Sequence, residues 1–298
     1  MKRGLWGDGV MRLWGKKITA PLSPHNPITS LPSPNHDSRD GHAIDMLVLH
    51  YTGMASAPQA LERLCDRDAK VSAHYVVGED GEIFSLVDEE NRAWHAGVSA
   101  WRGHTNINQR SIGIEIVNPG HEFGYRAFPK AQMQAVTALC KDIVSRHAIP
   151  ARNVVAHSDV APSRKEDPGE LFDWKGLAEQ GIGLWPEKKF AIPSPFQLPL
   201  DLIYLLLSIV TGSWNHLNCW FFMSGDLPNN KNKPLYAIAT GALQTDSDLQ
   251  AQLTAYGYET SDLPKAILAF QRHFFPERLT GVWDHECALR LATLLAML

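Results

Sequence analysis

Residues 46–51 read Met-Leu-Val-Leu-His-Tyr, an unbroken apolar run that closes on a histidine and a tyrosine. Successive side chains of a strand point to opposite faces, so a strand apolar throughout must be covered on both sides. That is the situation of a central strand in a sheet flanked by helices. Such a strand delivers His50 to its C-terminal edge.

Outward from this strand, Ser56-Ala57-Pro58-Gln59 has the spacing of a capping box with proline in the first turn, and Leu61 and Leu64 follow at helical spacing. A short helix is expected there. The segments His74 to Val77 and Ile83 to Val87 flank Glu79-Asp80-Gly81, where Asp-Gly predicts a hairpin turn. Ser111 to Val117 alternates, with Ile112, Ile114 and Ile116 on one face and Gly113, Glu115 and Val117 on the other. Glu115 therefore shares its face with a bare glycine, where a ligand can approach. Lys130 to His147 carries Met133, Val136, Leu139, Cys140, Ile143 and Val144 at helical spacing, as an amphipathic helix packed on the sheet does. Asn153 to His157 reads as a second short strand ending in a histidine, just before a loop rich in Pro, Asp, Arg and Lys. This order predicts an α/β (α+β) fold with a mixed central β-sheet flanked by helices.

Four segments are expected. Residues 1–44 form an irregular lead-in, because Pro21 to Pro34 is too rich in Pro, Ser and Asn for regular structure, and folding starts near Asp45. Residues 45–186 hold the strands and histidines. Residues 187–244 are an atypical linker or insertion; the run LPLDLIYLLLSIV is interrupted by Asp201 and is shorter than the roughly 20 residues that span a bilayer. Residues 245–298 form a small all-α C-terminal domain, with apolar residues at helical spacing from Leu249 to Leu298 and Asp284 as a candidate N-cap.

Composition narrows the function. Lysine and arginine number 28 against 32 acidic residues, a net charge of −4, so no overall basic field exists to hold a phosphate backbone and nucleic acid is not an expected partner. The four cysteines form no CxxC pair, which points to free thiols, with Cys65 and Cys140 as small core residues. The basic N-terminus is followed by no apolar run or cleavage site. The cytoplasm is the default compartment, with the periplasm or envelope as the alternative should a mis-assigned start site hide a secretion signal. No GxSxG elbow supports a serine hydrolase.

Two strand-end histidines, His50 and His157, followed by aspartates in the loop, supply the ligand types of a catalytic zinc, which keeps three protein ligands and an open position. Spacing alone favours reading each histidine as a hydrogen-bonded surface or core group rather than a ligand, and leaves both Asp159 and Asp167 open as the third ligand.

Five ordered blocks, LHYTG (49–53), SAHYVV (72–77), AWHAG (93–97), SIGIEIVN (111–118) and AHSDVAPSRKEDPG (156–169), resemble the signatures of zinc-dependent N-acetylmuramoyl-L-alanine amidases of the peptidoglycan-recognition (amidase type 2) family. The resemblance implies a hydrolase that cuts the amide between the lactyl group of N-acetylmuramic acid and the L-alanine of a stem peptide. It places Zn2+ on His50, His157 and Asp167, favouring Asp167 over Asp159. It also implies Glu115 as the proton carrier and Lys165 as the stabiliser of the oxyanion. Trp94, His95, Trp101, Arg102 and Asn106, around the third block, are expected to shape the groove for peptidoglycan fragments or sacculus. His74 reads either as a partner of the metal ligands or as a core histidine. The tail motifs AFQRHF (269–274) and TGVWD (280–284) resemble the small three-helix peptidoglycan-binding module, which would add wall affinity or brace the catalytic domain. The alternative is a recognition protein that binds peptidoglycan without cutting it.

Overall fold

The computed structural model describes residues 17–18, 27–187 and 245–298. The expected linker or insertion at 187–244 lies, beyond Glu187, outside the described residues, as does most of the lead-in. The strands are β1 (Lys17–Ile18), β2 (Ile28–Ser30), β3 (His36–Ser38), β4 (Met46–Tyr51), β5 (Tyr75–Val77), β6 (Ile83–Ser85), β7 (Asn91–Ala93), β8 (Ala100–Trp101), β9 (His104–Thr105), β10 (Ser111–Ile116) and β11 (Val154–Ala156). The helices are α1 (Ala57–Cys65), α2 (Gly120–Phe123), α3 (Lys130–His147), α4 (His157–Val160), α5 (Trp174–Glu179), α6 (Asp246–Tyr256), α7 (Leu263–Phe274) and α8 (His285–Ala296).

Seven strands form one mixed sheet in the order β1-β2-β6-β5-β10-β4-β11. β4 runs parallel to both β10 and β11, whereas β5 and β6 form the antiparallel hairpin that Asp80-Gly81 predicted. The alternation of β4 explains its doubly apolar sequence. Leu47 and Leu49 enter a core with Ile112, Ile114, Ile116 and the α3 residues Val136, Leu139, Cys140 and Ile143. Met46 and Val48 enter a second core, which they share with Val155, Trp101 and Ile107 and with Leu253, Phe270, Phe274 and Leu291 of the three C-terminal helices. Residues 45–186 and 245–298 accordingly lie in one compact unit. Helix α1 covers Val76, Phe84 and Val117 on the same side of the sheet edge.

Local details refine the sequence reading. Ser56 stands at the N-cap of α1 with extended backbone, but its side chain makes no cap bond; its carbonyl instead accepts from Ala60 N–H at 3.2 Å. The lead-in does contribute strands. β2, set between Pro27 and Pro32, pairs with β6, and β3 pairs with β7. A proline removes only its own donor, so three residues between two prolines can still pair. In the tail, Gln271 locks the turn before α8: its Oε1 accepts from Thr280 N–H and Gly281 N–H, and its Nε2 donates to Val282 O. Asp284 caps α8 by accepting from Cys287 N–H at 2.9 Å, as predicted. Among the described residues no helix is long and apolar enough to cross a membrane.

Candidate metal centre

Pairing of β4 with β10 sets the centre. The register places Glu115 directly beside His50, and Gly113 beside Val48, so their side chains share the face opposite α3. His157 follows β11 as the first residue of the short α4. The loop after α4 then folds back, with Ser158 N–H donating to Asp167 O at 3.0 Å, which returns Asp167 to His157. Downstream, Tyr125 O–H donates to Pro168 O and accepts from Leu171 N–H, and Gly169 at φ +87° leaves room for that phenol.

Three buried ligand atoms converge. His50 Nδ1 lies 2.9 Å from His157 Nδ1 and 3.1 Å from Asp167 Oδ2, and His157 Nδ1 lies 3.0 Å from the same oxygen. The outer nitrogen of each ring is already used. His157 Nε2 lies 3.1 Å from the carbonyl oxygen of Ala96, which only accepts, and 3.3 Å from Arg164 Nη2, which only donates. His50 Nε2 faces His95 Nδ1 at 3.0 Å. Ring nitrogens and a carboxylate oxygen at such spacing are held together by a shared proton or by a cation among them. The edges approach the separation of about 3.3 Å expected between ligands on a tetrahedral ion with bonds of about 2.0–2.1 Å. The donor set N, N, O therefore fits a catalytic zinc, and among the described residues it is the one such group.

The charges around it follow from burial. Burial alone would raise the Asp167 carboxyl, but His157 and His50 hold it well below the usual carboxylate range. Glu115 is pushed well above that range, by burial and then by Asp167, with Lys165 opposing. Its Oε2 is buried and has no hydrogen-bond partner. Lys165 is partly exposed, in the loop between the two metal-side residues His157 and Asp167.

Asp159, the rival ligand, is turned elsewhere. Its Oδ2 accepts from Ala156 N–H at 2.7 Å and faces His273 Nδ1 at 2.6 Å, and its Oδ1 accepts from Tyr258 O–H at 2.7 Å. Next to Asp167, Glu166 accepts from Arg272 at 2.8 Å. Helix α7 and the Tyr256–Tyr258 turn thus grip the loop that carries two of the three ligand atoms.

The expected groove residues separate. Trp101 is a correction: it is 2% exposed, packed edge-on against Tyr256 and Tyr258, and so has no face to offer a sugar. His95 is another, since its ring is buried against His50 rather than lining a groove. Arg102 and Asn106 are exposed on the β8–β9 hairpin, and Trp94 is half-buried beside Asp37. His74 lies in the core beneath the strands, between Arg39 and Gly113 N–H. The sequence reading missed Asn108, Ser111, Tyr258 and His273. For Ser111 the signal was present, because it alternates in step with Gly113 and Glu115. Nothing local marks the other three.

The Amidase_2 family, described as N-acetylmuramoyl-L-alanine amidase, matches residues 40–170. The chain is 36% identical over 261 residues to N-acetylmuramoyl-L-alanine amidase AmiD of Escherichia coli K12, covering 82% of this chain and 79% of that protein. It is 35% identical over 163 residues to 1,6-anhydro-N-acetylmuramyl-L-alanine amidase AmpD of the same organism, covering 48% of this chain and 86% of the relative. The structure of E. coli AmiD in complex with the substrate anhydro-N-acetylmuramic acid-L-Ala-D-gamma-Glu-L-Lys superposes with a TM-score of 0.63 at 32% identity, covering 90% of this chain and 93% of that one. AMPDH3 of Pseudomonas aeruginosa in complex with anhydromuramic pentapeptide gives a TM-score of 0.64 at 28% identity over 92% of this chain and 96% of that one. With likeness over this much of both chains, and with the histidine pair and aspartate brought together at the strand ends, the chain belongs to the N-acetylmuramoyl-L-alanine amidase family.

Proposed function

We propose that the chain hydrolyses the amide between the lactyl group of N-acetylmuramic acid and the L-alanine of stem peptides, acting on muropeptides of cell-wall turnover, with zinc held by His50, His157 and Asp167. The observation that carries this reading is the convergence of three buried ligand atoms next to the buried, unpartnered Oε2 of Glu115. Zinc, when bound, supplies a Lewis acid for the scissile carbonyl and makes water nucleophilic near neutral pH.

The chain's own residues supply the rest. In its ionised form Glu115, in register beside His50, takes the proton of the attacking water at its free Oε2 and hands it to the L-alanine amine, which must leave protonated. Lys165 places a cation beside the carbonyl oxygen as negative charge develops there, in a site whose burial strengthens that attraction. Arg102 and Asn106 remain candidates for stem carboxylates and amides, and Trp94 for a sugar face. We read the C-terminal helices chiefly as a brace, because Tyr258, Arg272 and His273 all reach the loop between His157 and Asp167.

The test is mass spectrometry of defined muropeptides incubated with the protein as purified, after chelation, and after zinc is restored. Free peptide beginning with L-alanine is expected, lost on chelation and regained with zinc. Glu115→Gln is expected to keep zinc but to lose turnover by about 10²- to 10⁴-fold. Zinc retained with no muropeptide cleaved would favour the non-catalytic recognition protein instead.

A further inference from the structure

His95 stands at the start of a hydrogen-bond chain whose direction is forced. Ser111 O–H donates to the carbonyl oxygen of Ile107 at 2.7 Å, and a carbonyl can only accept. The single hydroxyl proton is thereby used, so toward His95 Nε2, at 3.1 Å, the Ser111 oxygen accepts. His95 therefore carries its proton on Nε2 and presents a bare Nδ1 to His50 Nε2 at 3.0 Å. His50 must then carry its own proton on Nε2, which leaves its Nδ1 lone pair facing His157 and Asp167. A backbone carbonyl in the turn before β10 thus dictates, through two side chains, which nitrogen of His50 is free.

The surroundings hold His95 to this task. The two rings are nearly perpendicular, at 82° with centroids 5.1 Å apart. Gly113 makes the room: a Cβ there would fall 2.4 Å from His95 Cγ. The bare glycine of β10 therefore accommodates a buried imidazole rather than a ligand. Asn108 Oδ1 accepts from the backbone N–H groups of His95 at 3.2 Å and Ala96 at 2.7 Å. Since the Ala96 carbonyl also lies 3.1 Å from His157 Nε2, this one amide steadies the surroundings of both histidines.

We infer that His95 is a positioning residue for the metal centre, setting the tautomer and ring orientation of His50 through the Ile107–Ser111–His95 chain. This rests on the zinc reading above, and the test separates the two. Zinc affinity is measured by chelator competition on the full chain and on His95→Ala and His95→Gln. His95→Ala is expected to weaken zinc by about 10- to 100-fold. His95→Gln, whose side-chain oxygen can still accept from His50 Nε2–H, is expected to recover most of that loss, which a purely space-filling role would not predict. Equal affinity in wild type and His95→Ala, or equal weakening in both variants, overturns the inference. A second readout needs no metal. In the chelated chain the His50 Nε2 proton is expected as an exchange-protected ring resonance in wild type and His95→Gln, and absent in His95→Ala. Its absence from wild type overturns the inference even if zinc binds, and its presence sustains the inference even if the zinc reading fails.

Discussion

Asp159, in the short α4, and Asp167, in the loop that follows it, are both buried carboxylates, and the donors each meets decide what each can do. Asp159 has a backbone N–H, a phenol and an imidazole on its two oxygens, whereas Asp167 Oδ2 faces only the two imidazole nitrogens of the candidate metal centre. Asp167→Ala is accordingly expected to lose zinc on dialysis, read by metal analysis. Asp159→Ala is expected to retain it while losing stability by about 3–5 kcal/mol in denaturant titration, because His273 and Tyr258 are left unpaired in a dry interior. Zinc lost from Asp159→Ala and kept by Asp167→Ala would reverse the assignment. At this scale His50, His157, Glu115 and Lys165 could be named from motif blocks, since each sits in a contiguous pattern. The partners that orient them could not. Ser111 and Asn108 lie 61 and 58 positions from His50, and only sheet pairing and the turn before β10 bring them near.

Elements are joined by a smaller set of polar ties, of which Glu89 is the clearest. Following the β5–β6 hairpin, it accepts from Tyr75 O–H at 2.8 Å, from Arg146 at 2.7 Å and from His147 at 2.7 Å, so it fastens the C-terminal turn of α3 to the sheet. Burial alone would raise its carboxyl, but Arg146, His147 and Tyr75 together hold it down to about 2. A folded-state value below the unfolded one stabilises the fold above the ordinary carboxylate range, and that contribution fades as pH falls toward about 2. Discounted for its partial exposure, it amounts to about 1–2 kcal/mol. Glu89→Gln should therefore be less stable than wild type at pH 7 by that margin in urea titration, and the gap should close as the pH is lowered from about 4.5. A gap independent of pH would mean that shape, not charge, makes the tie. Element identities were largely legible, because α3, β4 and β10 show clean periods. The short β2 and β3 were not, because strands of three residues carry too little pattern and owe their pairing to strands far along the chain.

For the whole molecule the decisive feature is the core that β4 shares with α6, α7 and α8. Phe270 is fully buried there, against Tyr258, Phe274 and Trp283. Phe270→Ala is expected to cost about 3–5 kcal/mol, and hydrogen exchange should show the β4 and β10 amides losing protection together with those of α7. Sheet amides that stay protected while the helices open would mark the tail as an independent module. The sequence by itself determined the fold class and the strand that must be covered on both faces, because period is a local property of the chain, and its motif blocks named the residues proposed to hold a metal. Only the tertiary structure decided what covers the second face of β4, that Trp101 is core, and that Asp159 belongs to the C-terminal helices while Asp167 faces the histidines. Those outcomes depend on which distant groups meet in a buried, water-poor space, where every donor and acceptor must find a partner, and no local pattern encodes that meeting.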